Sequence, residues 1–334
     1  SLNTLNAEFK SDFTQLEFNK YDFSNLELEG KIQNGEGNIA LKFKDENLNF
    51  AANTDLVLDP YHLKAQLRLN LIGADLEALG VSTENIKAAL DLEANFEGNT
   101  DNFVLHTQIN NGIAVYDQKQ YQIGNIQLKS KIDTVSTDVT IGSDFLNGSL
   151  KSNASPTGIR AAISKQFKNY FTDSLLVHSP SDSVKLQMDL KINPNALLTE
   201  VLLKDLEQLD SITLEANFDA LSKDLNVQIK VPSASYKGIV LDSMNLSIIG
   251  DSTELNLTAG LLNLIADPIH IKKTYLEGTL KNKELLLDFS SWDDQEKVVH
   301  VASKMTLAQD TTLLQIIPKG LLLNKKEWII PDNN

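Results

Sequence analysis

The sequence predicts a mainly β protein built from antiparallel strands, with tandem repeats and two or three short amphipathic helices. Three observations predict it. Apolar and polar residues alternate over many short runs, turn-forming residues separate those runs, and few segments carry a helical period.

The strands come first. Leu26 and Leu28 alternate with Glu27 and Glu29, and Leu67, Leu69 and Leu71 with Arg68 and Asn70. Further on, Leu186, Met188 and Leu190 alternate with Gln187 and Asp189, and Leu225, Val227, Ile229 and Val231 with Asn226, Gln228 and Lys230. The pairs Leu246/Ile248 and Leu255/Leu257 continue the pattern. A two-residue period places one apolar and one polar face on each strand. Such one-sided strands belong to antiparallel sheets, because parallel strands are covered on both faces. Turns are expected at Asn34-Gly35, Glu97-Gly98-Asn99, Asn111-Gly112, Asn147-Gly148, Gly250-Asp251-Ser252 and Lys281-Asn282-Lys283.

The clearest helix is expected from Pro194 to about Leu209, capped by Asn193, with Leu198, Val201, Leu202, Leu206 and Leu209 on one stripe. A second is expected from about Gly158 to Phe171, with Ile159, Ala162, Ile163, Phe167 and Tyr170 or Phe171 on one side. A shorter helical piece is expected over Ala74–Leu79, and another turn from Ser82 through Leu90.

A repeat organises these elements. Leu92-Glu93-Ala94-Asn95-Phe96 recurs verbatim as Leu214-Glu215-Ala216-Asn217-Phe218, and Tyr116–Ser130 parallels Tyr236–Ile248. Each five-residue copy follows a strand and a helical piece, so duplication is expected, as in architectures that stack repeat on repeat. The organisation expected is a first β repeat region over 1–154, an amphipathic helix and linker over 155–180, and a second β repeat region over 181–334 carrying the 194–209 helix. All of it is expected to form one continuous elongated unit.

Composition narrows the function classes. The 334 residues carry a net charge of −15, and arginine occurs only at Arg68 and Arg160, so no basic patch for nucleic acid exists. Cysteine is absent, which excludes disulfides, thiolate metal sites and a thiol nucleophile. His62, His106, His178, His270 and His300 are scattered without a metal-binding spacing. Gly35-Glu36-Gly37-Asn38-Ile39-Ala40 matches a loose dinucleotide pattern but runs into a strand instead of a helix. Asp293, Asp294 and Glu296 fall where a hairpin turns and lack calcium-loop spacing. No enzyme, no metal and no cofactor is expected. No apolar run approaches the roughly 18 residues of a membrane span. The chain begins at Ser1 without a leader pattern and is expected to be a mid-chain stretch of a longer protein.

What exceeds need is apolar strand surface, with few helices to cover it. The sheet must close as a barrel, pack as a sandwich or curl into a trough. Four pieces carry a resemblance: Asp75-Leu76-Glu77-Ala78-Leu79-Gly80-Val81 before a strand ending Phe96-Glu97-Gly98; Tyr121-Gln122-Ile123-Gly124-Asn125-Ile126-Gln127-Leu128; Gly142 to Gly148 running into a helix that ends Lys168-Asn169-Tyr170-Phe171; and Ile316 to Ile330, with Pro318, Gly320 and Trp328. In these the chain resembles the TamB family of Bacteroidetes-type bacteria, within the AsmA-like group, over essentially its whole length.

The resemblance implies an elongated, curled antiparallel sheet, a β-taco or gutter-like trough with an apolar interior. It implies a periplasmic location, as part of an inner-membrane-anchored protein that reaches towards the outer membrane. It implies phospholipid acyl chains as cargo and, through parts outside this stretch, an Omp85-family barrel as partner in outer-membrane biogenesis. Lining residues are expected from the apolar positions of the clearest strands: Leu67, Leu69, Leu92, Phe96, Ile141, Leu186, Met188, Leu190, Leu214, Phe218, Val227, Ile229, Ile248, Leu257, Leu287 and Val301. The alternatives are a binding scaffold or chaperone-like platform for outer-membrane protein assembly, and an adhesin or glycan-binding sandwich. Against the last stand only two tryptophans, Trp292 and Trp328.

Overall fold

Alternation of apolar and polar side chains decides almost every element of this chain. The structure, a computed structural model, describes residues 2–13, 16–18, 21–23, 26–170, 183–266, 269–308 and 311–330. It is mainly β, antiparallel and not closed. The chain divides into two compact units, Ser1–Asn147 with Asn195–Leu202, and Gly148–Pro194 with Leu203–Asn334.

In the first unit the strands are β1 (Ala7–Phe13), the short pair β2 (Glu17–Phe18) and β3 (Tyr21–Asp22), β4 (Leu26–Gln33), β5 (Glu36–Lys44), β6 (Leu48–Val57), β7 (Leu63–Asp75), β8 (Ile86–Gly98), β9 (Phe103–Tyr116), β10 (Lys119–Ile132) and β11 (Thr137–Gly142). β1 pairs with β4, and from β4 each strand pairs with the next as far as β11. Register sorts the faces. Phe9, Gly30, Ile39, Thr54, Leu67, Ala94, Thr107, Leu128 and Ile141 stand side by side in one row across the strands. One residue along, on the opposite face, the row reads Glu8, Lys31, Asn38, Asp55, Gln66, Asn95, His106, Lys129 and Thr140.

Strand β12 (Leu146–Ser152) and helix α1 (Pro156–Asn169) follow. The second unit continues with β13 (Lys185–Ile192), β14 (Leu206–Leu209), β15 (Ile212–Asp219), β16 (Asp224–Tyr236), β17 (Ile239–Gly250), β18 (Leu255–Ala266), β19 (Ile269–Lys281), β20 (Glu284–Asp293), β21 (Glu296–Ala308), β22 (Thr311–Leu323) and β23 (Lys326–Glu327). β13 pairs with β15, and the meander runs on to β23. Its apolar rows include Leu186, Phe218, Leu225, Gly250, Leu255, Leu280, Leu285 and Met305.

The duplication read from the sequence holds at the level of register. Leu92 faces Leu69 and Ile109; Leu214 faces Leu190 and Ile229. Glu93 faces Gln108, as Glu215 faces Gln228. The next hairpins match as well: Tyr116 pairs with Lys119 around Asp117-Gln118, and Tyr236 pairs with Ile239 around Lys237-Gly238. Each compact unit carries one copy.

Several expected elements differ. Only Leu197–Leu202 of the 194–209 segment is helical, in a wide π-type turn, and Asn195, not Asn193, caps it by accepting the Leu197 N–H at 2.7 Å. Leu206–Leu209 is strand β14, paired with β16. Its bulge adds a residue between Leu206 and Gln208, so buried Leu206 and Leu209 share a side despite their three-residue spacing. That spacing imitates a helix. Over 74–79, Ala74 and Asp75 belong to β7, and a single turn follows, closed by Leu79 N–H on the Asp75 carbonyl. Ser82 caps no helix: its hydroxyl accepts the Glu84 N–H at 2.9 Å, and Ile86–Gly98 is strand. Asn111-Gly112 and Asn147-Gly148 lie inside β9 and β12. The former pair makes a bulge, with Asn111 at φ 54° and its side-chain amide donating to Asp91 at 2.8 Å. α1 begins earlier than expected, because Ser155 accepts the Gly158 N–H at 3.2 Å and Pro156 occupies the first turn. Phe171 and His178 lie outside the described residues.

Candidate apolar binding faces

The expected lining residues fall on one face of the sheet in each unit. In the first, Leu67 and Ile141 share a row, Leu69 and Leu92 face each other in the next row, and Phe96 faces Ala65 and Leu105 beyond it. In the second, three adjacent rows hold the rest. Leu186 faces Phe218 in one. Met188, Val227, Ile248, Leu257 and Leu287 share another. Leu190, Leu214, Ile229 and, farther along, Val301 share the third.

Their exposure is the informative quantity. Phe218 is buried; all the others are half-buried, and none is fully exposed. A closed core would bury them. Phe43 is the one large side chain among the described residues that is essentially sealed. The whole chain, of 37.0 kDa, exposes 20729 Å². Two separate globules of half that mass would together expose about 16,000 Å².

Two short elements do cover part of these faces. In the first unit, Leu197 and Val201 of the π-type turn pack on Ile86, Ala114 and Tyr121. Ile86 lies on the apolar side of β8, in step with Leu92. The Tyr121 hydroxyl donates to Glu200 Oε2 at 2.8 Å, and Lys119 Nζ lies 3.4 Å from the same oxygen. These contacts, the hydroxyl first, hold the Glu200 carboxyl below its ordinary pKa.

In the second unit, α1 lies on the apolar rows near one set of hairpin turns. Ala162 is buried, and Ile159, Ile163 and Phe167 pack with Leu186, Phe218, Leu225, Val227, Ile248 and Leu255. Its C-terminal end is pinned to three turns. Gln166 Nε2 reaches the Lys223 carbonyl at 3.0 Å and the Asp251 carbonyl at 3.1 Å. The Tyr170 hydroxyl donates to the Asp251 carbonyl at 2.8 Å, and the Tyr170 carbonyl accepts the Lys283 N–H at 3.1 Å. Gly250 makes room for this: a Cβ there would sit 2.7 Å from the Tyr170 hydroxyl. Among the described residues, the row of Leu190, Leu214 and Ile229 is not part of the cluster under α1.

Sequence reasoning placed these residues on one apolar face but missed Gln166 and the role of Tyr170. A glutamine on an apolar helical stripe, at the i+3 position from Ile163, was the available signal. The opposite faces are polar and carry shallow clefts. One of about 550 Å³ includes Asp55, Gln66, Asn95 and His106, and one of about 360 Å³ includes Gln228, Asn245 and Tyr275. Among the described residues no group of three His, Asp or Glu side chains is placed to hold a metal ion, and no helix is long and apolar enough to cross a membrane.

Near the chain's end, His300 ties three strands. Its Nδ1 lies 2.6 Å from the Gly320 carbonyl and its Nε2 lies 2.9 Å from Asp288 Oδ2. Both partners are acceptors, so only the imidazolium satisfies both. The pKa is raised accordingly, by Asp288 first and the Gly320 carbonyl second.

Comparison with known proteins adds no relative: no family model, no curated protein and no solved structure matches the chain.

Proposed function

We propose that this chain is a non-enzymatic stretch of a TamB-type, AsmA-like bridge, whose apolar faces carry phospholipid acyl chains through the periplasm. The observation that supports this reading is the continuity of half-buried apolar rows across successive strands in each unit, with only part of them beneath a helix. An acyl chain in water exposes many methylenes, each worth about 0.8 kcal/mol on burial. A continuous apolar face offsets that cost at every point along it and needs no catalytic group. The barrel partner of the Omp85 family belongs to the same reading, through parts of the protein beyond this stretch.

The test is native mass spectrometry of the purified chain, which on this reading detects bound phospholipid. Leu214→Asp, in the middle of the third apolar row of the second unit, then abolishes lipid binding while circular dichroism stays unchanged. A folded Leu214→Asp protein that retains its lipid refutes the groove.

One observation favours a second reading, a scaffold for unfolded strands. Among the described residues, β22 pairs with β21 on one side, and on the other its last residues Leu322 and Leu323 meet β23. Leu313, Leu314 and Ile316 on it are exposed. Such an edge accepts an added strand. Peptide binding that survives Leu214→Asp but is lost on placing proline at Leu313 distinguishes the scaffold from the groove.

A further inference from the structure

Part of the polar faces of the sheet is satisfied by its own side chains. In the second unit, Asn256 donates to Glu254, Thr279 donates to Asn256, and Lys281 pairs with Glu254. Among the described residues, other polar side chains have no such partner, including Gln66, Asn95 and His106 in the first unit and the following patch in the second. Gln228, Ser247 and Thr258 stand side by side on β16, β17 and β18, and none makes a side-chain hydrogen bond within the described residues. The adjacent row runs Lys230, Asn245, Gly260 and Tyr275. With Ser243, Ile229, Leu246, Leu261 and Leu262 they line the cleft of about 360 Å³, within the range of small-ligand sites.

The aromatic end of this cleft is built. Tyr275 lies against Gly260, where a Cβ would meet the ring carbons at 3.1 and 3.2 Å. Trp292 braces the Tyr275 ring edge-on, with centroids 5.6 Å apart at 82°. Lys273 sits 5.8 Å from the centre of the tyrosine ring and 5.7 Å from that of the tryptophan. Tyr275 keeps 38% of its surface exposed. An accessible aromatic ring beside unpartnered amide and hydroxyl groups, with Lys230 the one charged side chain among the cleft's lining, suits a neutral hydroxylated ring. Such a ligand lays its C–H face on the aromatic and exchanges hydrogen bonds with groups that both donate and accept. The chain's net charge of −15 disfavours an anionic ligand.

We propose that this cleft, on the face opposite the apolar rows, is a binding site for a neutral saccharide, with Tyr275 as the stacking platform and Gln228, Ser247 and Thr258 as hydrogen-bonding partners. The proposal stands independently of lipid carriage, because the stacking and hydrogen-bonding side chains it assigns lie on the other face.

The experiment titrates the full chain carrying Trp328→Phe, which leaves Trp292 as the fluorescent reporter. The probes are cellobiose, maltose and N,N′-diacetylchitobiose, with glucose 6-phosphate as a charged comparator. A saturable change is expected with at least one neutral disaccharide. Tyr275→Phe retains it, whereas Tyr275→Ala and Gln228→Leu each weaken it about tenfold. Circular dichroism reports folding, and Gln228→Leu decides the matter should Tyr275→Ala fail to fold. Saturation by glucose 6-phosphate alone, no saturation by any neutral sugar, or unaltered affinity in Gln228→Leu overturns the proposal.

Discussion

Replacing Gln166 with leucine tests how α1 is held on the apolar face of the second unit. Gln166 is only 4% exposed, and its amide nitrogen lies within 2.8 Å of the Tyr170 hydroxyl, 3.0 Å of the Lys223 carbonyl and 3.1 Å of the Asp251 carbonyl. That nitrogen has two protons for three acceptors, so one contact is shared. Leucine keeps the volume and removes both protons. The Asp251 carbonyl still receives the Tyr170 hydroxyl, but the Lys223 carbonyl loses its side-chain donor. Stranding a buried acceptor costs about 1–3 kcal/mol. A cost of about 2 kcal/mol corresponds to a roughly thirtyfold rise in helix opening. Hydrogen exchange followed by mass spectrometry reads it directly, as a loss of protection over Pro156–Asn169. Tyr170→Phe removes one bond of the same network and is expected to give about a fivefold loss, at about 1 kcal/mol. The double variant falls short of the product, because both changes act on the Asp251 carbonyl. Unaltered protection in Gln166→Leu would falsify this account and assign the docking of α1 wholly to Ala162, Ile163 and Phe167.

Three further predictions follow from single contacts. The folded pKa of His300 lies above its ordinary value of about 6.5, so its contribution is complete below that value and is lost as pH rises through the folded one. Thermal melts from about pH 6 to about pH 8.5 are expected to fall, and His300→Gln to flatten that limb; an equal slope in both proteins refutes the role of the clamp. Phe218→Ala empties a buried site under α1 and is expected to cost about 3–5 kcal/mol by urea denaturation, a cost below about 1 kcal/mol being incompatible with a packed site. Asn111→Val places a branched side chain at φ 54° and removes the amide donated to Asp91, for an expected loss of about 2 kcal/mol in the same assay. A neutral outcome there means that the bulge can relax.

Much of the fold was legible because strand alternation is a local signal. Leu225 to Val231 announce both faces of β16 without reference to any neighbour. The turn at Asn282-Lys283 was equally readable, with both residues at positive φ, as a tight hairpin of this kind requires. The misreadings share one cause. Three-residue spacing at Leu206 and Leu209 arises from a helix or from a bulged strand, and only pairing with β16 separates the two. Asn-Gly at 111–112 favours positive φ in a turn or in a bulge, and the neighbours β8 and β10 select the bulge.

From its sequence alone this protein is committed to antiparallel strands with one apolar and one polar face, duplicated about the Leu92–Phe96 and Leu214–Phe218 segments, because periodicity and turn chemistry act over a few residues. Which strands share a row, which rows lie beneath α1, and which polar side chains remain without partners are set by pairing between distant strands. Those relations join residues such as Gln166 and Asp251, or Gln228, Ser247 and Thr258, that no local pattern connects. Only the register of the assembled sheet brings them within reach of one another.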